Sequence, residues 1–367
     1  MSIGQFFSLL GQYPWAIAAC IACLGVAFIN GWTDGPNSIA TAVNTRCLRP
    51  TPAVILCAVG NVAGALFIGA LGTWLADAAS LPKTIASLAQ YELTSPAYIQ
   101  DALAAITAGL GTVLLWSGLS LFVSLPCSES NELIAGITGS AIGVAIMHGQ
   151  GWFDLVGWGA WGKVLIGFFG SLIFGFAMGL GLTKLLELIC RKMTRGKTNR
   201  FFKKGQVFSA ALMSFAHGFQ DGAKFIGIFI LIAVVMQGTT SIDPSLLSIW
   251  YFYVPVALMM GVGSMMGGYS IIKTLGKSVS KLERHQAFAT DIASVIGLGL
   301  ATFFGLPVSS GTVKATSIMG GGASKGLRKV KWGVSGKMIG SWVIVFPIGI
   351  VVGATLTCIF LFFSHLF

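Results

Sequence analysis

Long apolar segments alternate with short polar ones along almost the whole chain. The first apolar segment covers residues 14–45, which is longer than the ~20 residues that one membrane helix needs. A polar stretch, Gly31-Trp32-Thr33-Asp34-Gly35-Pro36, interrupts this segment. Because lipid cannot satisfy exposed backbone groups, such an interruption indicates a helix break that lines a cavity inside the protein. We therefore predict a broken helix with Asp34 at the break.

Nine further apolar segments follow, at residues 51–76, 100–123, 126–147, 160–190, 207–237, 247–272, 286–304, 307–323 and 334–364. Together they predict an all-α polytopic membrane protein with five crossings in each half. Some segments can be re-entrant pairs, so we expect 10–12 helical segments. We expect a first membrane repeat at 1–190, a basic cytoplasmic loop at 191–206 and a second membrane repeat at 207–367.

Two motifs of the first half recur in the second half, in the same order and at nearly the same offset. The stretch from Asn30 to Gly35 is matched by His217 to Gly222, and Leu-Pro-x-Ser at 125–128 is matched at 306–309. Since five crossings are an odd number, the second copy begins on the opposite side of the membrane. This is the inverted-topology repeat of secondary transporters, whose substrates bind near the bilayer midplane at discontinuous helices. We expect the second Asp-Gly motif to break its helix as the first does.

Charge is sparse and unevenly placed. Hydrophobic residues make up 55% of the chain and charged residues only 10%, yet the formal net charge is +11. In a soluble protein this charge would suggest nucleic acid. Here most of the basic residues fall in four loops, near 46–49, 191–204, 273–284 and 325–337. The positive-inside rule then predicts a multi-pass protein of the cell inner membrane, with cytoplasmic basic loops, both termini outside, and lipid rather than nucleic acid as its partner.

The two Leu-Pro-x-Ser motifs predict an anion site. Proline starts a helix cleanly, and a helix that begins inside the membrane offers free N–H groups and a partial positive charge to an anion. Two such N-termini facing each other would enclose a small tetrahedral oxyanion. The alternative is that the hydroxyl groups bond to their own helices. The candidate anion ligands are Ser128, Ser130, Asn131, Ser309, Ser310 and Thr312.

Acidic and amide side chains beside these motifs predict a cation site. Asp34 with Asn37, and Asp221 with Gln220, are oxygen-rich groups suited to Na⁺ or to a proton, with helix capping as the alternative. If the cation is Na⁺, we expect Asp34, Asn37 and Asp221 to bind it. The roles of four further charged residues stay open. Lys224 can pair with Asp221 or reach the anion, Glu129 can carry a proton or line the entrance, Lys314 can contact the anion, and Asp291 lies within the membrane.

These motifs together resemble the PiT family of inorganic phosphate transporters, particularly its bacterial branch. The resemblance covers essentially the whole chain and implies phosphate uptake coupled to Na⁺ or H⁺. It assigns the family's signature acids to Asp34 and Asp221, its asparagine to Asn37, and its serine-rich tips to the hydroxyl groups named above. The chain departs from the family pattern at four positions. Gln220 replaces the usual asparagine and Gly311 the usual threonine, and Asn131 and Thr312 replace the histidine that is common after each serine cluster.

We therefore expect a symporter that works by alternating access, with Na⁺ or H⁺ as co-transported cation and no resident cofactor. Sulfate uptake is the nearest alternative, although a carboxylate beside the anion favours phosphate, which can donate a hydrogen bond. An anion channel would lack cation dependence. An intramembrane phosphatase is disfavoured because the sequence offers no metal cluster and no nucleophile with a matched base. A homodimer is one assembly that such a protein could adopt.

Overall fold

The computed structural model describes residues 1–71, 80–123, 128–243, 245–246, 249–268, 272 and 279–365. Eight helical stretches in these ranges are long and apolar enough to cross a membrane, so the chain is an all-α polytopic membrane protein, as predicted. Ten of the described α-helices have 14 or more residues, in agreement with the 10–12 segments expected, and three are shorter. The helices are α1 (Ile3–Gln12), α2 (Pro14–Thr33), α3 (Ala40–Asn44), α4 (Pro50–Leu71), α5 (Ser80–Ala86), α6 (Pro96–Val123), α7 (Glu129–Met147), α8 (Trp158–Ile189), α9 (Arg195–Met236), α10 (Trp250–Met265), α11 (Arg284–Phe303), α12 (Ser310–Ala323) and α13 (Trp332–Ser364).

The first predicted break is present and the second is not. Helix α2 ends at Thr33, a 3₁₀ turn covers Gly35–Ser38, and α3 resumes at Ala40. Pro36 accounts for the interruption because it lacks a backbone N–H and its ring does not fit a helix interior. Helix α9, in contrast, runs unbroken through Asp221. The prediction of a second break was wrong, and α9 also begins at Arg195, inside the segment that we expected to be a loop.

The glycines near Asp221 serve helix packing. A Cβ added to Gly218 would lie 2.2 Å from the Asn61 carbonyl oxygen, and one added to Gly222 would lie 2.7 Å from the Ala65 Cβ. Both contacts are with α4, so these glycines let α4 approach the backbone of α9 closely, as small residues do in membrane helix pairs. The sequence pattern of the two motifs is the same, but its physical role differs between them.

Helices of one half pack against helices of the other half, and the pairs of helices are equivalent under the repeat. Helix α7 packs along α13, and its counterpart α12 packs along α8. Helix α4 packs along α9, and its counterpart α10 packs along α2. Each half therefore covers the core helices of the other half, which is the interlocked arrangement of an inverted-topology repeat.

Matched glycines make these contacts equivalent. A Cβ on Gly139 would lie 2.3 Å from the Ile350 carbonyl oxygen, and a Cβ on Gly320 would lie 2.0 Å from the Phe176 carbonyl oxygen. The offset between Gly139 and Gly320 is the same as the offset between the two Leu-Pro motifs. The backbones of the half-helices α7 and α12 thus touch their long partners at the same depth, which fixes where the N-termini of both half-helices lie.

Candidate functional site

The two acids of the repeated motif meet in the interior. Asp34 is the C-cap residue of α2, and Asp221 lies in the middle of α9. One carboxylate oxygen of each, together with a ring nitrogen of His217, lie within 4.8 Å of one another, and all three residues are buried. Matched residues from the two halves of the sequence therefore form one cluster, as the repeat predicts.

Asp221 accepts hydrogen bonds from three side chains. The Lys224 ammonium pairs with its Oδ1, while Oδ2 accepts hydrogen bonds from Ser310 Oγ at 3.0 Å and from Asn30 Nδ2 at 3.3 Å. His217 Nε2 also lies 3.2 Å from Oδ2. Lys224 makes two further bonds, to Ser130 Oγ at 2.6 Å and to a backbone carbonyl at residue 308, at 2.7 Å. Of the two roles open for Lys224, the structure has it paired with Asp221.

Asp34 has far fewer partners. Its Oδ1 accepts from Asn37 Nδ2 at 2.9 Å, but its Oδ2 has no hydrogen-bond partner among the described residues. Buried oxygens without a donor are costly, by roughly 1–3 kcal/mol each, unless a cation, a proton or a ligand completes them. The same part of the chain leaves other buried oxygens of this region unpartnered, namely Asn30 Oδ1, Asn37 Oδ1, Glu129 Oε2 and Thr312 Oγ1.

Two glutamates on the first turn of α7 add acidity to the cluster. Glu129 has Asn30, Asp34, Glu132 and Asp221 as electrostatic neighbours. Glu132 accepts from Ser117 Oγ at 3.3 Å through Oε2, and its Oε1 is unpartnered among the described residues. Glu132 was not among the predicted site residues, although the Glu-x-x-Glu spacing places both acids on one helix face.

Both half-helix N-termini are capped by serine in the same way. Ser128 Oγ accepts from the Asn131 backbone N–H at 3.4 Å, and Ser309 Oγ accepts from the Thr312 backbone N–H at 3.3 Å. These two caps occupy matched positions of the repeat, so the tips of α7 and α12 are structurally equivalent. The first proline of the two motifs, Pro126, lies outside the described residues.

The tip of α12 touches the broken helix directly. A Cβ added to Gly311 would lie 3.2 Å from Asn37 Nδ2 and 3.5 Å from Asp34 Oδ1. The absence of a side chain at Gly311 therefore lets the N-terminal turn of α12 approach the carboxylate of Asp34. The side chain of a threonine, the residue usual at this position in the family that the sequence resembles, would occupy this space.

Two predicted site residues point elsewhere. Gln220 accepts from Thr302 through Oε1 and donates from Nε2 to the Leu306 carbonyl at 3.2 Å, so it supports the chain that leads into α12. Asn131 donates from Nδ2 to the Trp342 carbonyl at 3.2 Å and so links α7 to α13. Neither side chain is a partner of Asp34 or Asp221 in the described structure.

Lys314 and Asp291 form a second buried group. Their charged ends are paired, and neither residue is exposed. Lys314 also donates to Thr41 Oγ1 at 3.3 Å, and Asp291 Oδ1 accepts from the same hydroxyl at 2.8 Å. Lys314 is thus paired with the carboxylate of Asp291, whereas the sequence suggested that it could contact the transported anion.

The sequence is similar to that of phosphate transporters. A profile of the phosphate transporter family matches residues 30–196 and 190–353. The chain is 32% identical over 342 residues to a probable low-affinity inorganic phosphate transporter of Bacillus subtilis (strain 168), covering 92% of this chain and 95% of that protein. It is 31% identical over 336 residues to a protein of the same description from Mycobacterium tuberculosis (strain H37Rv), covering 91% and 75% of the two chains.

The fold also has a counterpart among solved structures. A structure described as the sodium-dependent phosphate transporter superimposes with a TM-score of 0.81 over 94% of this chain and 98% of its own. Its sequence identity is 17%, so this likeness concerns the fold alone.

Proposed function

Since this chain belongs to the phosphate transporter family, we propose that it is a secondary transporter that imports inorganic phosphate by symport with Na⁺ or H⁺ through alternating access. The observation that carries the proposal is the meeting of Asp34 and Asp221 in the interior, beside the serine-capped N-termini of two half-helices. The half-helix N-termini of this site suit an anion, and the carboxylate of Asp34 suits a cation.

The anion would bind at the two tips. Free backbone N–H groups on the first turns of α7 and α12 point toward it with the positive ends of their helix dipoles. Hydroxyl groups on the same turns add donors once phosphate displaces their present partners. Lys224 supplies the one ammonium of the cluster within the described residues, and it already bonds to the hydroxyl of Ser130. The residues we assign to phosphate are Ser128, Ser130, Ser309, Ser310, Thr312 and Lys224, while Asn131 keeps its contact with α13.

Charge balance supports coupling to a cation. Four carboxyl groups, those of Asp34, Glu129, Glu132 and Asp221, lie in one buried cluster with Lys224 as its lysine in the described structure. Adding a phosphate dianion to such a group requires cations or protons, because uncompensated buried charge is strongly unfavourable. The membrane potential adds to this need, since importing two negative charges against 100 mV costs about 4.6 kcal/mol.

The cation would bind at Asp34. Its free Oδ2 and the free oxygens of Asn37, Asn30 and Glu129 are the hard oxygen ligands that Na⁺ prefers. A proton carried by Asp34 or Glu129 would meet the same charge requirement. Gln220 would act indirectly by holding the chain that leads to the α12 tip.

Orientation follows from the basic loops. We place these loops in the cytoplasm and both termini outside, so that inward transport runs from the tips toward the N-terminal ends of α9 and α11. The short helix α3 and the 3₁₀ turn would then lie on the cytoplasmic side of Asp34.

Uptake by purified protein in liposomes tests the proposal. We expect labelled phosphate to accumulate when a Na⁺ gradient or a pH gradient is imposed, each separately, and the gradient that works identifies the cation. Asp34→Asn should abolish the gradient-driven part, whereas Asp154→Asn, at an exposed loop acid, should not change it. Equal uptake by Asp34→Asn and the unmodified protein in both gradients would refute the assignment.

The same preparation separates the other readings. A sulfate transporter would accumulate labelled sulfate in preference to phosphate under the same gradient. An anion channel would pass phosphate without any dependence on Na⁺ or pH. Release of phosphate from an ester by the purified protein would point to an intramembrane enzyme.

A further inference from the structure

A buried polar network surrounds the Asp291–Lys314 pair. Asp291 Oδ1 faces Lys314 and Thr41, and its Oδ2 accepts from Gln206 Nε2 and from Ser209 Oγ, the latter at 2.9 Å. All five residues are buried. They come from four separate helices, α3, α9, α11 and α12, so the network ties together elements of both halves.

The matched region of the other half is apolar. The offset from Asp34 to Asp221 relates α2 and α3 to α9, and the offset from Ser128 to Ser309 relates the segments around the two tips. These offsets assign each member of the network a position in the opposite half. Every one of those positions holds a hydrophobic residue, and all of them belong to or pack against one hydrophobic cluster. They are Ala19, Ala22, Leu110, Leu133 and Ile228.

This contrast makes the two approaches to the central site chemically different. In an inverted repeat, matched positions lie on opposite sides of the midplane. The polar network lies toward the basic loops, since Gln206 follows Lys204 by two residues and Asp291 lies two turns into the helix that starts at Arg284. The side toward the termini is closed at the same depth by hydrocarbon.

The network is also the next polar group after the central site. Lys314 lies one turn along α12 from Gly311, where an added Cβ would lie 3.2 Å from Asn37 Nδ2 and 3.5 Å from Asp34 Oδ1. Thr41 lies two turns beyond Asp34, on the short helix that follows the break. Two further polar atoms, Gln206 Oε1 on α9 and Ser317 Oγ on α12, are buried without a hydrogen-bond partner among the described residues. Polar groups thus continue from the site toward the basic loops.

We propose that the Asp291–Lys314 network is the gate on the basic-loop side of the transport route, and that Lys314 becomes a second phosphate contact when this gate opens. The inference rests on the proposed phosphate symport. It differs from that proposal in naming a distinct group of residues and a distinct step, release into the cytoplasm.

The gate opens when Asp291 and Lys314 exchange each other for the transported ions. When the gate is closed, the ammonium and the carboxylate satisfy each other, and Thr41 holds α3 against α11. A phosphate leaving the central site can take the place of Asp291 at Lys314. The co-transported cation can then take the place of Lys314 at Asp291, so neither buried charge is left alone during opening. Hydrocarbon at these positions could exclude ions but could not receive them.

A double variant that copies the opposite half tests the gate. Asp291→Leu with Lys314→Leu reproduces the Leu110 and Leu133 pair, and replacing a buried ion pair by apolar residues of similar size is commonly tolerated. We expect phosphate still to bind at the central site of the purified protein in detergent, while uptake into liposomes falls at least tenfold. Uptake equal to that of the unmodified protein would overturn the gate.

Controls keep the outcome unambiguous. Glu283→Gln with Lys325→Gln removes an exposed ion pair near the same surface and should leave uptake unchanged. If the double-leucine variant does not fold, Asp291→Asn with Lys314→Gln keeps hydrogen bonding without charge and carries the same prediction. Failure of the unmodified protein to take up phosphate would refute the proposed function instead, which separates the two failures.

Discussion

Asn37 and Lys224 occupy matched positions, each three residues after its aspartate, and each donates from its side chain to that aspartate. The two donors differ in charge. Lys224 gives Asp221 a tethered cation, whereas the amide of Asn37 brings no charge to Asp34 and presents a free oxygen beside it. One half of the repeat therefore carries its own cation, and the other half is arranged to receive one.

Asn37→Lys should place a tethered cation at Asp34 and so block the coupling ion. The new ammonium would repeat the Lys224 arrangement, because the spacing to the aspartate is the same. We expect cation-driven phosphate uptake to fall at least tenfold, and phosphate binding to lose its dependence on the added cation. Uptake in liposomes and binding in detergent, each measured over a range of Na⁺ concentration and pH, check this result.

The bulk of the new side chain needs its own control. Asn37 is buried, and an oversized residue there costs about 1–3 kcal/mol through overpacking alone. Asn37→Met has nearly the length of lysine without the charge. If the methionine variant keeps cation-dependent binding while the lysine variant loses it, charge is responsible. Loss of that dependence in both variants would contradict the tethered-cation interpretation.

The sequence predicted the meeting of the two motifs more accurately than the local structure of each. Repetition of the motifs around Asp34 and Asp221 is a global signal, since duplicated units must bury equivalent faces. The break itself depends on Pro36, which has no counterpart after Asp221. Glycine alone did not distinguish a broken helix from a closely packed one, and Gly218 belongs to the second kind.

The gate network lay beyond what sequence patterns could predict. Asp291 and Lys314 are 23 residues apart on different helices, and their further partners come from two other segments. No spacing rule links these positions, because the contact exists only after the halves have interlocked. Gln220 shows the same limit, since its role in supporting the α12 tip depends on the Leu306 carbonyl, 86 residues away.

Gly139→Ala and Gly320→Ala should both destabilise the fold, and by similar amounts. Each added methyl group would meet a backbone carbonyl of the long partner helix, which cannot move aside as a side chain can. We expect a loss of about 1–3 kcal/mol for each variant. Thermal unfolding in detergent measures the effect. Gly170→Ala, at an exposed helix position with open space around the added Cβ, should be neutral or stabilise by about 0.5–1 kcal/mol.

Because Gly139 and Gly320 occupy matched positions of the repeat, substitution of either by alanine should lower stability by a similar amount. The half-helices α7 and α12 are placed by these contacts, so both variants should also lower phosphate affinity in the protein that remains folded. If only one of the two variants were destabilised, the contacts of α7 with α13 and of α12 with α8 would not be equivalent, which would contradict the prediction.

Selectivity for phosphate over sulfate should depend on Glu129. Its Oε2 is a buried acceptor without a donor in the described structure, on the first turn of the α7 tip. Phosphate can donate a hydrogen bond to this oxygen, but sulfate at neutral pH cannot and is repelled by it. Glu129→Gln replaces one acceptor by an N–H donor, so we expect sulfate to compete at least tenfold better against labelled phosphate. Glu132→Gln is the matched control, because it changes a buried carboxylate of the same helix turn that is held toward α6 by Ser117 through Oε2, and it should leave the competition ratio unchanged. A ratio that stays constant in both variants would show that Glu129 does not face the anion.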